Sequence, residues 1–295
     1  MKKLAMMLSI IWLCGALEDS QAQPRLILRL ERDSLLESQA VWVHVALVNS
    51  TLTKQTVQHY VLSDDMSRGV RITLIDERAA SVPQGVEGIH DDFGTAEPRI
   101  LAPGDSITRM FNILGWFSTS GIRNAPPYLP TLHYLRSGTY TLRATQFTGN
   151  DTLHSNVVRF IVVKPKGREH QALQSLVNAD QKYAEDARSN ATVLAYERFV
   201  SSYRQSVYAP YAYYRLIFVH YSLRPKQNNQ KVFELIKKLA EAFPNDPQAV
   251  YVVSTYAAII VRDGKSEILE ELSRNLSEAK VGELSRRKLR ELQQR

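Results

Sequence analysis

The chain has 295 residues, of which 44% are hydrophobic and 23% charged, with a net charge of +7 and one cysteine. That apolar fraction supports packed cores and excludes a largely disordered chain, and the length fits two domains of about 100–200 residues each. With Cys14 as the only thiol, a disulfide framework or a thiolate metal cage within one copy of the chain is excluded.

The first residues read as an export signal. Lys2 and Lys3 precede an apolar run from Leu4 to Leu13 broken only by Ser9, shorter than the roughly 20 apolar residues a spanning helix needs. Small residues place cleavage after Ala16 (Cys14-Gly15-Ala16) or after Ala22 (Ser20-Gln21-Ala22). Residues 1–22 are therefore expected to be a signal peptide, and the mature protein periplasmic or secreted. Either cleavage removes Cys14 and with it any cysteine nucleophile. The alternative is an outer-membrane lipoprotein with a lipid on Cys14, although Trp12 and Leu13 stand where that signal carries small residues.

From Arg25 to Val163 the apolar pattern has period 2. Leu26, Leu28 and Leu30 alternate with Ile27, Arg29 and Glu31, and Val41, Val43, Val45 and Leu47 alternate with Trp42, His44 and Ala46. Val70, Ile72 and Leu74 follow the same rule, as do Val158, Phe160 and Val162. Alternation puts one set on a buried face and the other toward water, and several such strands separated by turns indicate an antiparallel sandwich. In Leu135-Arg136-Ser137-Gly138-Thr139-Tyr140-Thr141-Leu142 a glycine turn feeds a strand whose early tyrosine can hydrogen-bond backbone at the corner. The turn Leu101-Ala102-Pro103-Gly104-Asp105 leads similarly into a strand around Ile107–Ile113. These features resemble the immunoglobulin-like β-sandwich domains of bacterial envelope proteins over about residues 25–164. The resemblance implies a spacer, adhesion module or docking surface over 23–164.

Two segments of that region read as long loops, 78–100 with His90-Asp91-Asp92 and 115–134 from Gly115-Trp116-Phe117 to His133-Tyr134. Long loops often carry function. The aromatics Trp116, Phe117, Tyr128 and Tyr134 are candidate partner contacts, since such rings anchor interfaces; equally, they could cap an open end of the sandwich core.

At Lys164-Pro165-Lys166-Gly167-Arg168 the period changes from 2 to 3.6, which predicts a linker over 165–169 and a helical domain over 170–295. Val193, Tyr196, Phe199, Val200 and Tyr203 match Phe233, Ile236, Leu239, Ala240 and Phe243 at an offset of 40 residues. The match continues through Ala209/Ala249, Tyr213/Val253 and Leu216/Tyr256. A repeat of that length signals stacked helical hairpins. Phe243-Pro244-Asn245-Asp246 and the alanine-led segments after each turn resemble tetratricopeptide-like repeats of envelope assembly proteins over roughly 170–275. Arg204 departs from that pattern at the usual proline, and Ile217 at the usual glycine.

The fold expectation is thus multidomain β + α, a sandwich followed by a hairpin array. Such an array exposes a groove that receives a peptide or helix. Tyr211, Tyr214, Phe218 and Tyr221 form one aromatic stripe at helical spacing, either inter-helix core or a partner site. Residues 165–295 hold 21 Lys+Arg against 15 Asp+Glu. The excess is concentrated in a final helix carrying Leu284, Leu289 and Leu292, where Arg286, Arg287 and Arg290 are the candidate contacts. A basic tail on an exported protein suits an acidic partner or anionic headgroups before nucleic acid; a solvated helix face is the simpler reading. Peripheral membrane association is expected only through that tail or a lipidated Cys14.

Enzyme signatures such as His-Glu-x-x-His, Gly-x-Ser-x-Gly and a phosphate-binding loop are absent, and Ser277-Glu278-Ala279-Lys280 lacks the companion motifs of Ser-x-x-Lys enzymes. No catalytic residue, metal site or cofactor is assigned. The leading expectation is a non-enzymatic binding or scaffold protein of the bacterial envelope that recognises a protein or peptide. A protease-inhibitor domain using 115–134 is the alternative, and a hydrolase built on His90, Asp91, Asp92 and His133 ranks last. Asp33-Ser34-Leu35, Asp105-Ser106-Ile107 and Asp151-Thr152-Leu153 resemble bacterial O-glycosylation triplets, and four Asn-x-Ser/Thr triplets are read as incidental.

Overall fold

A computed structural model describes residues 24–57, 70–82, 98–114, 117, 135–148, 151–223 and 229–293. The period-2 segments form strands β1 (Arg25–Leu30), β2 (Ser34–Leu36), β3 (Trp42–Val48), β4 (Gln55–Val57), β5 (Val70–Asp76), β6 (Arg99–Leu101), β7 (Ser106–Asn112), β8 (Gly138–Thr148) and β9 (Asp151–Val163). Seven of them make one sheet in the order β5-β8-β9-β1-β3-β7, with β2 also paired to β9; β4 and β6 pair separately. The sheet curls, so Leu28, Val43 and Val45 from one half share a core with Ile72, Leu74, Leu142 and Phe160 from the other.

The curl is made where β9 changes partners. It pairs in parallel with β1 at Leu26↔Ser155 and further on with β2 at Ser34↔Ile161. Between these points the Asn156 amide replaces a ladder strand: it accepts from the Leu28 amide at 2.9 Å and donates to the Leu28 carbonyl at 3.0 Å. On the other side the β8–β9 register shifts between Arg143 and Thr145, and the Ala144 amide donates instead to the Ser155 hydroxyl at 2.8 Å. Two polar residues in mid-strand thus satisfy the backbone groups that a bend would orphan. At the start of β8 the Tyr140 hydroxyl donates to the Arg136 carbonyl at 2.8 Å, and its ring lies 5.5 Å from that of Phe160.

The 3.6-period segments form α1 (Gly167–Asp186), α2 (Asn190–Ser202), α3 (Ala209–Phe218, extended by a π-turn Val219–Leu223), α4 (Asn229–Ala242), α5 (Pro247–Arg262), α6 (Ser266–Asn275) and α7 (Lys280–Gln293). Helix α1 begins inside the stretch expected as linker, and Pro165 is buried against it rather than solvated. No described helix is long and apolar enough to cross a membrane. Helices two apart are neighbours: α5 touches α3 and α7, and α4 touches α6. Lys231–Glu197 and Lys237–Glu271, at 3.5 and 2.6 Å, tie α4 to α2 and α6 across the outer surface.

The 40-residue repeat is visible in the backbone. Tyr203 and Phe243 each donate their amide to the carbonyl four residues back, and Ser206 and Asp246 then donate theirs to Tyr203 and Phe243. The Asp246 side chain caps α5, accepting from the Gln248 amide at 2.9 Å, and the Ser206 hydroxyl accepts from the Tyr208 amide at 3.2 Å in the turn ahead of α3. A third turn with the same backbone bonds follows at Leu276 and Ala279. Helix α5 ends in a Schellman motif: Lys265 donates to the Ile260 carbonyl and Gly264 to that of Val261, with Gly264 at φ +68. At Gly282 an added Cβ would lie 1.9 Å from the Leu276 carbonyl oxygen, so α7 approaches the preceding turn as only glycine allows.

The sheet domain docks on helix starts. The Tyr208 hydroxyl, beside the start of α3, donates to the Glu37 carbonyl at 2.7 Å. Arg32 pairs with Asp246, the cap of α5, at 3.3 Å. Lys280, the first residue of α7, reaches Glu31 at 2.8 Å. Leu36 packs onto the helical core.

Candidate functional site

Between these contacts the two domains share a chain of aromatic rings. Trp42 on β3 lies 6.0 Å from Tyr251 on α5, Tyr251 lies 6.1 Å from Tyr214 on α3, and Tyr214 lies 6.4 Å from Phe218. Successive rings are inclined at 46°, 72° and 36°, so they interlock rather than form a flat platform. Trp42 is 7% exposed, Tyr251 40%, and Tyr214 and Phe218 are half-buried. The strip continues along α3 to the half-buried Tyr221, whose ring meets Tyr256 edge-on at 5.3 Å. On α5, Ser254, Thr255 and Ala258 are exposed at helical spacing after Tyr251.

Behind the strip lies a buried polar cage. Arg215, 2% exposed, sits 5.2, 5.0 and 5.4 Å from the rings of Tyr183, Tyr211 and Tyr214 and donates through Nε to the Tyr211 hydroxyl at 2.6 Å. Tyr211 and Tyr196 both donate to the buried Asp180 carboxylate. Burial pushes both phenols well above their ordinary range, so both stay protonated donors, while Arg215 stays charged because the tyrosines and Asp180 outweigh its desolvation. The cage holds Tyr214 in place from the inside.

The expected contact residues have separate fates. Tyr214, Phe218 and Tyr221 are on the strip; Tyr211 is 8% exposed and belongs to the cage. Phe117 is 2% exposed and lies in the sheet core, as a core-capping ring would, which removes it as a surface contact. Trp116, Tyr128 and Tyr134 lie outside the described residues, as do His90, Asp91, Asp92 and His133. On α7 the Arg286 guanidinium donates to the carbonyls of Ser273 and Ser277 at 3.1 and 2.8 Å, so it closes the α6–α7 turn. Lys288 pairs with Glu291 at 2.8 Å, while Arg287 and Arg290 are exposed. Much of the basic charge of the tail is thus used within the protein.

Trp42 and Tyr251 were missed by sequence reasoning. Trp42 occupies the water-facing phase of its strand, and among the described residues the helical half lies against it through Tyr251. Tyr251 was legible, because it stands 40 residues after Tyr211. Among the described residues no three His, Cys, Asp or Glu side chains gather to hold a metal ion. No family model matches the chain, and no curated protein is similar to it in sequence.

Proposed function

We propose that the chain is an exported, non-enzymatic binding or scaffold protein of the bacterial cell envelope. In this reading an immunoglobulin-like sandwich is docked on a tetratricopeptide-like hairpin array, and the pair recognises a protein or peptide. The observation that carries it is the aromatic strip Trp42–Tyr251–Tyr214–Phe218, which crosses from one domain to the other and leaves Tyr251 40% exposed. An exposed ring backed by partly buried ones suits an interface anchor, because little side-chain entropy is lost on binding. In this reading residues 1–22 act as an export signal, the partner lies in the periplasm or outside the cell, and any membrane association runs through the basic tail or a lipidated Cys14. Nucleic acid is not an expected partner.

The test is affinity capture from a native envelope extract with the full mature chain and with its Tyr251→Ala/Phe218→Ala variant. A protein retained by the first and reduced at least about tenfold on the second supports the reading, since two truncated anchors at ~1–2 kcal/mol each suffice for that loss. Equal capture by both, or capture of nothing by either, overturns it.

A further inference from the structure

We infer that the junction between the two domains is an acid-released latch centred on Glu31. Among the described residues the polar contacts that join the domains include three: Lys280 to Glu31, Arg32 to Asp246, and the Tyr208 hydroxyl to the Glu37 carbonyl. Two of the three require a carboxylate charge. Glu31 is gripped from both sides, by His44 Nε2 at 2.8 Å from its own sheet and by Lys280 Nζ at 2.8 and 3.0 Å from α7. One neutralised carboxylate therefore loosens the ion pair that ties α7 to the sheet.

The surroundings turn that loosening into repulsion. Arg32, Asp33 and Arg159 line the same depression as Glu31, and Arg29 stands across the ladder from His44. From the helical side come Asp246 and Lys280. While Glu31 is ionised it offsets part of that positive charge. Once it is protonated, Arg29, Arg32, Arg159 and Lys280 are left with less to balance them, and like charges at one interface push it apart.

The two junction carboxylates are shifted in opposite directions. Burial works to raise Glu31, but the hydrogen bonds from Lys280 and His44 outweigh it and hold the carboxyl below its usual range. Its stabilisation is therefore present above the ordinary glutamate value and lost as pH falls through the depressed one. Burial instead holds Asp246 above its usual range, against the Gln248 amide and Arg32, so its protonated form is the one the folded protein favours. Acid release therefore rests on Glu31.

Opening exposes Trp42, which lines the seam with Leu35, Tyr208, Pro210 and Pro247. The seam encloses a cavity of only about 30 Å³, room for about one water, so the indole is shielded while the latch is closed. The chain has three tryptophans. In the full chain carrying Trp12→Phe and Trp116→Phe, Trp42 is the sole indole, and acrylamide quenching of its emission reads the junction.

Quenching is expected to rise at least about twofold between pH 7 and about 3.5, while the helical circular-dichroism signal stays constant. Glu31→Gln is expected to show part of that rise already at pH 7 and a flatter pH response. Lys280→Met flattens it too, by removing one repelling cation. Constant quenching in the parent protein, an unaltered acid response in Glu31→Gln, or a rise that appears only together with loss of helicity overturns the latch.

Discussion

Arg215 donates to the hydroxyl of Tyr211, one helical turn earlier, at 2.6 Å, and through that phenol it faces the buried carboxylate of Asp180 on α1. The cation and the anion are thus joined through a neutral ring. The arrangement fixes α1 against α3 with direction, which apolar packing alone does not supply.

The first prediction follows from that cage. Arg215→Ala leaves Asp180 buried without its cation, and is expected to cost about 3–5 kcal/mol. Adding Asp180→Asn removes the orphaned charge and returns about 1–2 kcal/mol. Urea unfolding of the two variants and the parent measures both. If the single variant is near neutral, the cage is not what fixes α1.

Gly282 provides a second. Its missing Cβ would sit 1.9 Å from a backbone oxygen, an atom that cannot swing away. Gly282→Ala is expected to lose about 2–3 kcal/mol, with α7 shifting off the preceding turn. Thermal unfolding checks the loss, and a crystal structure of the variant would show the displacement.

A third concerns Asp246, which caps α5 and also meets Arg32. Asp246→Ala loses the cap at about 1 kcal/mol. The pH dependence separates charge from cap. Burial raises the Asp246 carboxyl, so its charged form is the costly one. Its favourable share is present below the ordinary aspartate value and is lost as pH rises through the folded-state value. Asp246→Asn does not ionise and escapes that loss. Measured against the parent, its relative stability is therefore expected to climb from pH 3 to pH 7. A flat or falling difference contradicts the assignment.

The fourth is Tyr140→Phe. It keeps the ring on Phe160 and deletes only the bond to the Arg136 carbonyl, so a loss of about 1 kcal/mol is expected. Denaturation with an unchanged m-value would confirm that only this bond was lost.

The repeat and the main strands were legible because each follows a local period. Phe233, Ile236 and Leu239 are buried where Val193, Tyr196 and Phe199 are, and Tyr140 makes the backbone bond its position suggested. What the sequence hid is non-local. The curl of the sheet rests on Ser155 and Asn156, two polar residues side by side in a strand that also carries Asp151, Thr152, His154 and Arg159, so nothing in its pattern singles them out. Trp42 points to the face where water is expected, and there it meets Tyr251, about two hundred residues later in the chain. Arg286 reads as free surface charge until the Ser273 and Ser277 carbonyls are seen beside it.

Helices α3, α5 and α7 all begin against the sheet domain, and a 16-residue helix such as α5 is about 24 Å long. The far end of α5 therefore lies about a helix length from the polar contacts that join the sheet to the helix starts. For anyone working with the molecule, that distal rim is the place for a dye, a purification handle or a surface tether. The turn at Asp263–Lys265 is already closed by its own backbone bonds, and cargo attached there hangs clear of the indole and of Glu31 alike.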